Sequence, residues 1–373
     1  MTQLSRTERT ALDYIEKMVL TSDPYSPKWN TENYIFHKQP KWNYMDCCMM
    51  RALLMYAENN PEYLAYAERF IGSYVCADGS IPTLRTEDYN LDSICGGNVL
   101  LRLYQLTGKE MYANAARMLY EEQLRHQPRL SCGNFWHKAI YPRQVWLDGA
   151  YMALPFLAAY GEFTGDCSCT ADALEQMRNI RDIMRDKATG LYYHGYCESK
   201  DMCWADHETG LSPEFWLRSN GWLCAGLADL YEITGDSECG EMLRQLLDSL
   251  KACLTDDGML LQLPARPELG GNYRETSGTL LFAYSALKAH RLGIVPADIA
   301  EAGKRALGTV TERFIIYSGD VPVLKNICLM GGLGGAENRD GSAEYYLSER
   351  IIENDAKGIA PYLMAAAEQG LCP

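Results

Sequence analysis

The sequence predicts an all-α protein, an (α/α)6 barrel of six helical hairpins that forms a single catalytic domain over residues 1–373. The first observation behind this is a repeat. Tyr104-Gln105-Leu106-Thr107-Gly108-Lys109, Tyr160-Gly161-Glu162-Phe163-Thr164-Gly165-Asp166 and Tyr231-Glu232-Ile233-Thr234-Gly235-Asp236 end three segments alike. The second is what flanks each ending. Small and apolar residues at helical spacing precede it, such as Val99, Leu100, Leu103, Tyr104 and Leu106, and a more polar amphipathic helix follows. Glycine suits the left-handed position just past a helix end, so each Thr-Gly turns one helix back on the next. The third is the count. Looser copies before and after the three bring the hairpins to six, with Ala/Gly-rich inner helices and polar outer ones. An open solenoid would need polar capping repeats, which the sequence lacks.

Taken in order, Thr7 to Leu20 is an amphipathic helix free to pair with the last one. Trp42 to Glu58 and Pro61 to Tyr74 form the first hairpin, and proline suits its place at the second helix's start. The three clear copies follow, with outer helices over Met111–Gln123, Ala171–Arg185 and Cys239–Ala252. Thr276–His290 with Pro296–Phe314 gives the next hairpin, and Asp355–Gln369 the last apolar helix. Gly190–Gly195 and Gly258–Gln262 read as short strands within connecting loops. The longest loops, Gln127–Gln144, Gly190–Glu214 and Ile316–Asp340, are rich in aromatics, His, Arg or Gly. Parallel inner helices would crowd these loops at one mouth of the barrel.

Composition removes several function classes. With 35 Lys+Arg against 49 Asp+Glu, the net charge of −14 lacks the clustered basic face that duplex binding requires. The longest apolar stretch, Gly149–Tyr160, is far short of the roughly 20 residues of a spanning helix, so no membrane partner is expected. The first residues alternate charges without an apolar core, which predicts a cytoplasmic protein. Fourteen scattered cysteines include no C-x-x-C and read as reduced core thiols. There is no H-E-x-x-H, no G-x-S-x-G, and the Gly331–Gly335 run lacks the Lys-Ser/Thr of a phosphate loop. Neither a metal nor another cofactor is expected, and the glycine run reads as a flexible flap.

Aligned on Thr-Gly, the repeats place Asp92, Asp148 and the Arg218-Ser219-Asn220 run in the first turns of successive inner helices, with Asp46 in the copy before. Any one of these carboxylates could simply cap a helix start. Three in register, beside Trp and Arg, point to a site at one end of the barrel. Trp42, Trp136, Trp146, Trp204, Trp216 and Trp222 lie at inner-helix starts or in the loops before them. Their faces suit sugar rings, and they could equally fill the wide end of the barrel. His137-Lys138 with Arg143, and Tyr193-His194 with Arg218, add cationic donors to the same region. A positive pocket in so acidic a chain implies a small anionic substrate.

Four blocks carry a family resemblance: Val145-Trp146-Leu147-Asp148-Gly149-Ala150-Tyr151-Met152, Phe215-Trp216-Leu217-Arg218-Ser219-Asn220-Gly221-Trp222, Gly341-Ser342-Ala343-Glu344-Tyr345-Tyr346-Leu347-Ser348 and Glu353-Asn354-Asp355-Ala356-Lys357-Gly358. In order from about Trp42 to the C-terminus, the chain resembles the unsaturated rhamnogalacturonyl hydrolases of glycoside hydrolase family 105. The resemblance implies an (α/α)6 barrel that removes a 4,5-unsaturated galacturonic acid from the non-reducing end of lyase-generated pectin fragments. By position it implies Asp148 as general acid/base, Asp92 as the second acidic residue, His194 as a substrate contact and Arg218 as the carboxylate-binding residue. It places Trp216, Trp222 and the His137-Lys138 pair around the sugar. Tyr44, Asp46 and Trp146 complete the expected substrate-binding set. Leu217 stands where the family often has Gly, which predicts a narrower pocket. Because a helix start lowers a carboxyl pKa, an ionised Asp92 is expected to push Asp148 back up, so that the two titrate as a pair.

Other readings share the fold. A glucuronyl hydrolase would differ only in its acceptor contacts. An epimerase would want two histidines on inner helices, and a barrel that only binds oligosaccharides would use Asp92 and Asp148 as caps.

Overall fold

A computed structural model of the protein describes residues 4–58, 60–337 and 339–371. Helix α1 (Arg6–Tyr14), continued by a π turn over Ile15–Val19, and the short α2 (Thr31–Phe36) precede the first hairpin, α3 (Tyr44–Leu54) with α4 (Pro61–Gly72). Then come α5 (Gly96–Thr107) with α6 (Glu110–Met118), α7 (Leu147–Thr164) with α8 (Cys167–Met184), and α9 (Leu217–Thr234) with α10 (Ser237–Ala252). Helices α11 (Thr276–Arg291) and α12 (Ala297–Thr309), the short α13 (Ala343–Ser348) and α14 (Ala356–Leu371) complete the chain.

The inner helices α3, α5, α7, α9, α11 and α14 each pack on the next, and α14 returns to α3, so the ring closes. Helices α4, α6, α8, α10 and α12 pack outside their hairpin partners, and α1 covers α14. This is the expected (α/α)6 barrel, with the N-terminal helix serving the last hairpin. Burial follows the layering. Every residue of α9 from Leu217 to Leu230, and of α11 from Thr276 to Ala289, is buried, whereas α10 buries one stripe built on Met242, Leu243, Leu246, Leu247 and Leu250. The three repeat glycines take the left-handed conformation that ends a helix, Gly108 at φ 67°, Gly165 at 77° and Gly235 at 64°.

The strand expectations need correction. Gly190–Gly195 and Gly258–Gln262 supply the isolated bridges Arg185 to Tyr192 and Leu261 to Arg274, and of the first segment only Gly195 enters a regular strand. Backbone groups of the first segment are committed to a tight turn, with Gly190 N donating to Asp186 O and Asp186 N to Leu191 O. Regular strands pair elsewhere as antiparallel ribbons: β1 (Gln144–Trp146) with β2 (Gly195–Cys197), β3 (Ile315–Ser318) with β4 (Val321–Leu324), and β5 (Ile327–Cys328) with β6 (Ile351–Ile352). Among the described residues, no helix is long and apolar enough to cross a membrane.

Candidate active site

The β1–β2 ribbon ends where α7 begins, with Trp146 opposite Gly195 and Leu147 N donating to His194 O. That register sets Asp148, in the first turn of α7, beside His194. The imidazole Nε2 lies 3.1 Å from Asp148 Oδ2, and Nδ1 lies 2.7 Å from the Tyr346 hydroxyl. A second stitch holds the neighbouring loop. Leu91 N donates to His137 O and His137 N to Gln144 O, which carries His137 and Lys138 to the short 3-10 segment containing Asp92. Lys138 Nζ sits 2.5 Å from Asp92 Oδ2, and His137 Nε2 3.8 Å from Asp92 Oδ1.

Arg218 enters from the first turn of α9 and is only 2% exposed. Its guanidinium donates to the carbonyls of Cys328 and Leu329 and to Ser277 Oγ, and it stacks 4.6 Å from the Trp216 ring. Glu275 orders these acceptors. Its carboxylate takes bonds from Ser277 N and Oγ, Gly278 N and Cys328 N. Among the described residues, no carboxylate lies within ion-pairing distance of Arg218, and a buried cation left so is costly unless an anion joins it.

One cavity of about 100 Å³ gathers Tyr44, Asp92, His137, Lys138, Trp146, Asp148, His194, Trp216, Arg218 and Trp222. Aromatic faces frame it. His137 and Tyr141 both stack on Trp146, at 4.5 and 4.6 Å, Trp216 lies parallel to Tyr346 at 5.9 Å, and Trp222 packs on Tyr151 at 4.5 Å. Trp216 is pinned through its indole N–H to Gln262 Oε1.

Three expectations change. Asp46 does not line the cavity: its carboxylate faces the N-terminal loop and accepts from Trp29 Nε1, Asn30 Nδ2 and Asn43 Nδ2. Capping falls to Asn43 and Asn90, whose side chains accept from Asp46 N and Asp92 N, so the carboxylates of Asp46, Asp92 and Asp148 are not spent as caps. Leu217 is buried against Gly278 and leaves the pocket unnarrowed. Asp148 has His194 as its direct partner while Asp92 is engaged by Lys138, and the Asp148 carboxyl is held below its usual value instead of being pushed back up. Tyr346, Gln262 and Glu275 are site residues that the sequence left unassigned. Tyr346 stood inside one of the family-like blocks, and nothing local marked the other two. The Gly331–Gly335 run approaches the site closely: a Cβ at Gly331 would fall 2.6 Å from the Trp216 ring.

Burial pushes the Asp148 carboxyl up, but the His194 hydrogen bond, and then the charges of His194, His137 and Arg218, outweigh it and hold the group below its usual value. Burial drives His137 down to about 4 against the pull of Asp92, so its ring is neutral near pH 7. Lys138 loses by burial and gains more from Asp92, and stays charged. Burial also keeps the Tyr346 hydroxyl protonated. An ionised Asp148 accepts from a proton-bearing Nε2, and the Tyr346 hydroxyl bonds the other ring nitrogen, so the two partners together orient the imidazole. The arrangement is a carboxyl able to exchange protons in an apolar, cationic pocket.

The sequence profile described as Glycosyl Hydrolase Family 88 matches residues 14–370. A solved family 105 glycoside hydrolase from C. acetobutylicum superposes with a TM-score of 0.89 at 32% identity, over 98% of this chain and 100% of that one. The chain belongs to the family 88/105 glycoside hydrolases. As a member it is a glycosidase of the unsaturated glycuronyl hydrolase type, with a carbohydrate substrate. The Agrobacterium fabrum protein Atu3128 is 40% identical over 228 residues, which is 58% of this chain and 97% of that protein. A Bacillus subtilis protein named unsaturated rhamnogalacturonyl hydrolase YesR is 25% identical over 246 residues, 63% of this chain and 67% of its own length.

Proposed function

We propose that the enzyme releases a 4,5-unsaturated galacturonic acid from the non-reducing end of lyase-generated rhamnogalacturonan fragments, by hydrating the C4=C5 double bond. The observation that carries this is Arg218, a buried guanidinium without a carboxylate partner among the described residues, facing the same cavity as Asp148. A sugar carboxylate conjugated to an enol ether supplies the missing anion and puts the double bond beside a proton donor. The galacturonyl form is favoured by the likeness to the B. subtilis protein so named.

In this reading Asp148 delivers a proton to C4, the developing charge at C5 is met by water, and the same carboxylate takes the proton of that water. The resulting hemiketal at C5 opens and expels the leaving sugar. His194 orients Asp148 and moderates its charge, and Tyr346 helps orient His194. Asp92, held by Lys138, serves as a hydrogen-bond acceptor for a sugar hydroxyl or the attacking water. Trp216, Trp146 and Trp222 wall the ring. Substrate also tunes its own acid: its carboxylate offsets the Arg218 charge that depresses Asp148, so the Asp148 pKa rises as the substrate seats.

Ultraviolet absorbance of the conjugated enol, followed with unsaturated galacturonyl-rhamnose, tests the proposal. Loss of absorbance with wild type, abolished in Asp148→Asn with the fold retained, is the expected result. Loss only with an unsaturated glucuronyl disaccharide would move the substrate, and loss with neither would overturn the reading.

A further inference from the structure

A larger cavity of about 370 Å³ adjoins the reacting pocket and shares Tyr44, Asp92, Lys138, Trp146 and Met330 with it. Four cationic side chains line it, Lys38, Lys41, Lys138 and Arg339, against two carboxylates, Glu32 and Asp92. Both carboxylates are already committed. Glu32 pairs with Lys38 at 2.8 Å and with the buried Lys357 at 3.3 Å, and Asp92 pairs with Lys138. Lys41 therefore has no ion-pair partner among the described residues. Among the described residues Arg339 pairs only with the exposed Glu337, at 4.0 Å.

Arg339 is not a loose surface side chain. It is 16% exposed, its Nε donates to Gly334 O, and its backbone exchanges hydrogen bonds with Gly334. A Cβ at Gly332 would come within 2.9 Å of one guanidinium nitrogen, and one at Gly335 within 3.0 Å of the other. Larger side chains at either place would crowd the guanidinium, so the glycine run is shaped around it. At a net charge of −14, a cavity lining with two uncompensated cations calls for an anion.

We propose that this cavity holds the leaving portion of the substrate, and that Arg339 and Lys41 recognise a second carboxylate on a sugar beyond the scissile bond. The inference rests on the hydrolase reading above and deepens it. The preferred substrate is an oligosaccharide with a second uronate, and the bare disaccharide leaves both cations unsatisfied. Arg339 offers the planar fork that a carboxylate fits, and Lys41 a movable charge at the rim.

The test compares two tetrasaccharides, each carrying unsaturated galacturonate at the non-reducing end. One keeps its inner galacturonate, and in the other that residue is reduced to galactose. Turnover is measured with wild type, Arg339→Gln and Lys41→Gln, and affinity for both sugars with Asp148→Asn. Wild type is expected to favour the charged sugar about tenfold in kcat/KM, a preference that falls toward unity in Arg339→Gln and by about half in Lys41→Gln. Raising ionic strength should erode the same preference. Lys41 is exposed and has no side-chain hydrogen bond or ion pair among the described residues, so it reports even where Arg339→Gln disturbs its loop. Equal kcat/KM for the two sugars, or a preference that neither substitution changes, overturns the inference. Preferential binding without turnover of either sugar supports the inference and overturns the hydrolase reading, whereas equal binding without turnover overturns both.

Discussion

As the proposed acid, Asp148 has to hold a proton in a pocket whose other groups favour its ionised form. His194, His137 and Arg218 all pull its pKa down, and burial only partly opposes them. The acid is therefore scarce in the free enzyme and grows on binding, when the substrate carboxylate offsets Arg218. The proposed reaction needs the protonated form, so the rate should fall as pH rises through the pKa of that form. The basic limb of kcat, which reports the complex, is then expected at higher pH than the basic limb of kcat/KM, which reports free enzyme. Coincident limbs in steady-state profiles would refute this charge switching. Tyr346→Phe removes the bond to Nδ1 that helps orient the imidazole, and should lower kcat about tenfold while KM changes little. A purely structural role would instead appear as lost stability with normal kinetics. Asp148 and Arg218 were legible as candidates because each stands in a recognisable block and repeat position, and His194 because it stands beside Tyr193 in a long loop and matches a substrate contact of the resembled family. Tyr346 was not assigned because its partner lies 152 residues away, and no local pattern joins the two.

Among the elements, the hairpins could be read because their period and their Thr-Gly ends are local properties. Strands of two to four residues carry no such period. The β1–β2 ribbon that sets Asp148 against His194 was therefore invisible, although the two residues it aligns were not. Repeat register likewise told only which end of the barrel Asp46 occupies. The start of α3 turns its carboxylate toward Trp29 and Asn30 instead of the axis. There burial raises the carboxyl to about 6, against the hydrogen bonds from Asn43, Trp29 and Asn30. A folded pKa above the unfolded one means that the folded state binds more protons between about 4 and 6, so this group favours folding as pH falls through that window. Relative to Asp46→Asn, wild type should gain on the order of 2 kcal/mol between pH 7.5 and pH 4.5. Urea titrations at the two values decide it, and parallel changes in both proteins would show that Asp46 is unperturbed.

Across the whole molecule, the mouth opposite the site is tied by buried charge. Asp229 on α9, 2% exposed, lies 2.6 Å from both Arg51 on α3 and Lys288 on α11, and accepts from the Tyr284 hydroxyl. Arg291 on α11 adds Glu368 on α14 and Glu232 on α9, while Arg51 also donates to Tyr151 on α7. Five of the six inner helices thus meet in one network, and Tyr151 carries it to Trp222 in the reacting cavity. Burial disfavours the Asp229 charge, but Arg51 and Lys288 more than offset that and hold its pKa below 3.8. Its contribution is accordingly complete above the unfolded value and is lost as pH falls through the lower folded value. Asp229→Asn strands the partly buried Arg51 and leaves the buried Lys288 with Glu232 alone, and should cost about 3 kcal/mol, whereas Lys251→Ala, which breaks an ion pair at the surface, should cost less than about 1 kcal/mol. An apolar replacement of all three, Arg51→Met with Asp229→Leu and Lys288→Met, separates stability from specificity. Buried ion pairs stabilise little relative to well-packed apolar groups, so the triple variant should recover most of the loss of Asp229→Asn. Without Arg51, however, Tyr151 loses its hydroxyl partner and Trp222 its fixed support. The triple variant should therefore unfold near the wild-type denaturant midpoint yet show a kcat/KM reduced severalfold. Wild-type kcat/KM in that variant would mean that the network holds the barrel together without shaping the site at its other end.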